Sequence, residues 1–168
     1  RASAAPTPLT VRVRAHYAKF IGTGAGQVRV TVRDFTSRAV LASGYVSGGT
    51  GNTATLMTEK HGPGDQLSDK GSAAYRTTID IEAPTKVLVE VEGPLSAGLN
   101  AHHESKTTWL LPGKGLGGDG LVFEMYGLMV RNYHPLQHEF VAVGDTAAIG
   151  AHVTPMCGCP VSPGFLWD

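Results

Sequence analysis

From Leu9 onward the apolar residues recur at every second position. Leu9, Val11, Val13, Ala15 and Tyr17 fall on one side, and Thr10, Arg12, Arg14 and His16 on the other. Successive side chains of an extended backbone point to opposite faces, so this pattern specifies a half-buried strand. An amphipathic helix would return its apolar residues every three or four positions, and that period is nowhere sustained.

The same signature repeats along the chain. Val28, Val30 and Val32 alternate with Arg29, Thr31 and Arg33 after the turn Gly22-Thr23-Gly24-Ala25-Gly26, and a third strand runs from Ala39 to Val46, which predicts an opening β-meander. Further strands are expected at Thr53 to Thr58, Tyr75 to Glu82, Lys86 to Glu92, Thr107 to Leu111, Leu121 to Val130, Glu139 to Val143 and Thr146 to Thr154. Pro84, which has no N–H to give a ladder, marks a tight turn. Short strands separated by Gly, Pro, Asn and Asp clusters predict an all-β, antiparallel two-layer sandwich of immunoglobulin-like or fibronectin-like type, with a barrel as the second architecture. The long Gly- and Asp-containing stretches, His61 to Gly71 and Pro112 to Gly120, are expected as surface loops, where a sandwich carries binding.

A chain of 168 residues can bury roughly 70% of its unfolded surface, enough for one core. The expected organisation is a linker or processed N-terminus at 1–8, a β-sandwich at 9–155, and a tail or the start of a further domain at 156–168. Lys+Arg and Asp+Glu both number 14, so no basic footprint points to nucleic acid. The apolar run from Leu121 is interrupted at Glu124 and ends at Arg131, too short for a membrane span. The small-residue, proline-spaced start Arg1 to Pro8 favours an exported protein, periplasmic or secreted, and without an Asn-x-Ser/Thr sequon nothing suggests a glycosylated surface, so a bacterial periplasm fits at least as well.

The two cysteines of the chain stand as Met156-Cys157-Gly158-Cys159. Extended residues two apart lie roughly 6.6–6.8 Å apart, so a turn at Gly158 would bring the sulfurs within disulfide reach. Such a ring would contribute only about 1.6 kcal/mol by chain entropy, which makes a labile or functional pair an alternative to a staple. Two thiolates beside a thioether also suit Cu(I), better than zinc. His152, on the polar side of Thr146 to Thr154 opposite Ala147, Ile149, Ala151 and Val153, is the nearest nitrogen ligand, but it stands roughly 16 Å along the chain from Cys157. Disulfide, copper site and inert or redox-active thiols all stay open. His102-His103-Glu104 and His134-x3-His138-Glu139 are weaker ligand groups.

Gly22-x-Gly24-x-Gly26 lacks the helix that a dinucleotide fingerprint needs, and Asp65, Asp69 and Asp119 lack EF-hand spacing. No nucleophile stands in spacing with its base. The expected function is an exported, non-catalytic binding or assembly module for an unknown protein or small ligand. The alternative is a periplasmic copper-handling or thiol-redox protein using Cys157, Cys159, Met156 and His152, with copper as its cofactor and the sulfur pair at an accessible edge.

Overall fold

The computed structural model describes residues 3–167; Arg1 and Ala2 of the expected linker and Asp168 of the tail lie outside the described residues. Among the described residues nine strands form: β1 (Ala5–Ala15), β2 (Val28–Asp34), β3 (Val40–Val46), β4 (Tyr75–Ile81), β5 (Thr85–Gly93), β6 (His102–Leu110), β7 (Leu121–Met125), β8 (Leu128–His134) and β9 (Gly150–Pro155). They make a three-stranded sheet in the order β4-β1-β7, a four-stranded sheet β3-β2-β5-β6, and a separate two-stranded ribbon β8-β9.

The expected all-β sandwich is what the chain forms. Its core lies between the two larger sheets, where the alternating positions meet: Val11 and Val13 from β1, Val30 and Val32 from β2, Val87, Val89 and Val91 from β5, Phe123 and Met125 from β7. Each such side chain contributes about 1.5–3 kcal/mol through the apolar surface it withdraws from water. The opposite face of the four-stranded sheet is polar. There Arg29 pairs with Glu92, and Arg33 Nε donates to Glu90 at 2.8 Å.

The distribution of strands differs from the immunoglobulin arrangement. That fold would place the first, second, fourth and fifth strands in one sheet. Here β2 and β5 instead join β3 and β6. Consequently β1 and β2 belong to different sheets, and the expected opening meander is replaced by a crossing from one layer to the other through Gly22 to Gly26. β1 pairs antiparallel with β4 and parallel with β7.

Other local expectations also change. β1 begins at Ala5, inside the segment read as a linker. Thr53–Met57 is a short helix, α1, instead of a strand, because the Asn52 side chain accepts the Thr55 N–H at 3.1 Å and caps the turn. The single strand expected from Leu121 to Val130 is two. Gly127, at φ +93°, takes a left-handed conformation that a strand does not accommodate, and the chain leaves the sandwich there. Glu139 to Val143 and Thr146 to Ile149 form no strand, since alternation without a neighbouring edge gives no ladder.

Candidate functional site

The tail is positioned by β9. After Pro155 the chain turns, with Gly158 N–H donating to the Pro155 carbonyl at 2.8 Å and Gly158 at φ +73°. A Cβ at Gly158 would stand 3.3 Å from the Ala25 methyl, so glycine is required both for its backbone conformation and for the close approach. The turn brings Cys157 and Cys159 to a Cα–Cα distance of 5.4 Å, and the two are joined as a disulfide.

The sulfur pair does not sit at an accessible edge. Cys157 is 3% and Cys159 8% exposed, Met156 is fully buried, and all three belong to the hydrophobic core. The physical reason is apolar matching: the tail closes one end of the sandwich, so Thr154 to Cys157 turn inward while Ala147, Ile149, Ala151 and Val153 stay in water. The face of 146–154 expected to be buried is therefore the uncovered one. Trp167 completes the closure by donating its Nε1–H to the Tyr17 carbonyl at 3.1 Å.

His152 is exposed, as its place in the alternation requires, and with Met129, Arg131, Thr154 and Gly158 it lines a cleft of about 330 Å³ between the ribbon and the 3-10 turns at Thr23–Ala25 and Leu95–Asn100. Only the Gly158 backbone brings the sulfur motif to that cleft. Among the described residues no three His, Cys, Asp or Glu side chains gather closely enough to hold a metal ion. His103 stands 4.0 Å from Glu90 on the outer sheet face, while His134 ends β8 and His138 lies in the loop beyond it.

The two long loops are tied to each other. Asp119 accepts the backbone N–H groups of Leu67 and Ser68, both at 2.9 Å, and so joins the loop after α1 to the loop before β7. Beneath them Arg12, 5% exposed, donates Nη1 to the carbonyls of Ser72 and Ala73 at 2.8 and 2.9 Å. Burial, together with the nearby Arg76, lowers the Arg12 pKa, and Asp119 and Asp69 oppose that effect. For Asp119, burial alone would raise the pKa, but the bonds from Ser68 and Leu67 and the charge of Arg12 hold it below the usual carboxylate value.

A carboxylate held low in the folded state stabilises the fold above its unfolded pKa, and that contribution disappears as the pH falls through the folded value. Stability should therefore decline below about pH 4. In Asp119→Asn the decline should be shallower, with Asp34, Asp69 and Glu124, also held low, retaining the remainder. Urea midpoints measured from neutral pH downward check this, and parallel curves for the two proteins would contradict it.

The residues that sequence reasoning missed are on the ribbon. Leu128, Val130 and Val153 share its outward face, opposite Met129, Arg131, His152 and Thr154, and all three are exposed, with Val130 also contributing to the cleft lining. The loop joining its strands exposes Phe140 (100%), Val143 (108%) and Ile149 (84%). Their alternation was visible, but not that the face would be left without a cover. No family model, curated protein or solved structure matches this chain.

Proposed function

We propose that the chain is an exported, non-catalytic β-sandwich that serves as an assembly module, with the β8–β9 ribbon as its docking element. The observation that carries this is the uncovered apolar face of the ribbon. A two-stranded hairpin in water is marginal, and a hydrophobic face needs more strands or a packed layer to hold it. Export is supported by the disulfide, since such bonds persist in oxidising compartments.

The sulfur motif then has a structural role, pinning the tail into the core. Copper handling or thiol exchange would need thiolates that reach solvent or partner, and a bonded pair covered by hydrocarbon offers neither.

Thiol titration and metal analysis of protein purified without chelator test the assignment. The expected result is no thiol reactive in the native or the unreduced unfolded protein, and no stoichiometric copper. Copper lost in a Cys157→Ser/Cys159→Ser double variant, or thiols that titrate natively, would replace this function with the copper or redox one.

A further inference from the structure

We infer that the ribbon is completed by a second copy of this chain, through antiparallel pairing of β9 with its twofold mate. The inference rests on the assembly-module reading and names the partner.

The open edge is the first ground. Asn100 Nδ2 donates to the Val130 carbonyl at 3.0 Å, so that carbonyl points away from β9. Val130 opposes Val153, which makes this a pair whose backbone groups face outward on both strands. The N–H and C=O of Val153, and by alternation those of Ala151, therefore lie along the outer edge of β9, which pairs with no other strand among the described residues.

The other sheet edges carry charges or an irregular pairing, whereas on β9 only Pro155, at its end, blunts the edge. On the edge strand β6, Lys106 reaches across to the Val122 carbonyl of the edge strand β7. The pairing of the edge strand β3 with β2 is interrupted by a register shift, and the edge strand β4 carries Arg76 and Asp80. β9 reads Gly-Ala-His-Val-Thr-Pro, with no Lys, Arg, Asp or Glu. Charges on an edge oppose intermolecular pairing, and their lack here permits it.

The amount of surface points to self-association. Leu128, Val130, Val153, Phe140, Val143 and Ile149 leave on the order of 800 Å² per chain in water, comparable to the roughly 800 Å² per partner of a standard interface. A twofold contact sets each group near its own copy, so any charge on the patch would meet a like charge. These six residues carry none, and the exposed carboxylates of the same loop are Glu139 and Asp145.

Sedimentation analysis of the full chain over a dilution series tests the proposal. The expected result is a reversible dimer. Ala151→Pro removes an outward N–H without touching the β8 ladder, and Val153→Glu places like charges across the contact. Each should raise the dimer dissociation constant about tenfold or more. Unchanged circular dichroism establishes that the variants fold, and Val130→Lys serves if either does not. A monomer at about 100 µM, or a dimer indifferent to all these substitutions, would overturn the proposal. A monomer with inert, bonded sulfurs removes self-association alone, whereas copper or reactive thiols would remove the module reading beneath it.

Discussion

Truncating Phe123 to alanine should lower the unfolding free energy by about 3–5 kcal/mol, with a melting temperature reduced on the order of 10 °C. The side chain is 1% exposed, projects from β7 into the space between the sheets, and has the Lys106 ammonium 5.2 Å from its ring centre. Removing it deletes the transfer free energy of the ring and leaves a cavity that rigid strands do not fill. Phe140→Ala removes the same atoms from a fully exposed position. At concentrations where the chain is monomeric, that change should stay within about 0.5 kcal/mol. Denaturant unfolding of both variants makes the comparison, and a cost below about 1 kcal/mol at Phe123 would mean that the two sheets do not share one packed core.

Arg12→Met is the second large effect, with an expected loss of about 3 kcal/mol. Methionine preserves most of the apolar stem, so the change isolates the guanidinium. Two carbonyls, of Ser72 and Ala73, lose their donor in a place that water does not reach, and each unsatisfied group costs about 1–3 kcal/mol. Asp119 loses the cation that helps to hold its carboxylate charged. The loop from His61 to Gly71 should then open, so limited proteolysis should cut there first. A variant as stable as the parent, with that loop still protected, would show that Arg12 does not organise this end of the sandwich.

Arg12 also shows what the sequence could not convey. Its alternation assigns it correctly to the face of β1 opposite Val11 and Val13, and for a half-buried strand that face is solvent. In the structure β1 is the middle strand of its sheet, between β4 and β7, and the loop around Ser72 covers it. Period-two patterning reports which side chains share a face, and says nothing of whether a second layer lies over that face.

The same limit explains the ribbon and the tail. Strands β2, β3, β4 and β5 were legible to within a residue or two, because each pairs with a neighbour, and β2, β4 and β5 bury the face their pattern marks. In Thr146 to Thr154 the pattern marked Ile149 and Val153 for burial, yet no sheet lies opposite them, while Thr154 to Cys157 turn inward. The sulfur convergence at Gly158 could be deduced from spacing alone. Its burial could not, since that depends on Ala25, brought close by a crossing between layers that local sequence does not encode.

Hydrogen exchange at Ala151 and Val153, read as a function of protein concentration, reports on pairing at the β9 edge itself. These amides face outward from the isolated ribbon, so only a partner strand can protect them. Protection is expected at high concentration and should be lost on dilution, in step with dissociation of the dimer. Rapid exchange of both amides at every concentration would contradict the pairing.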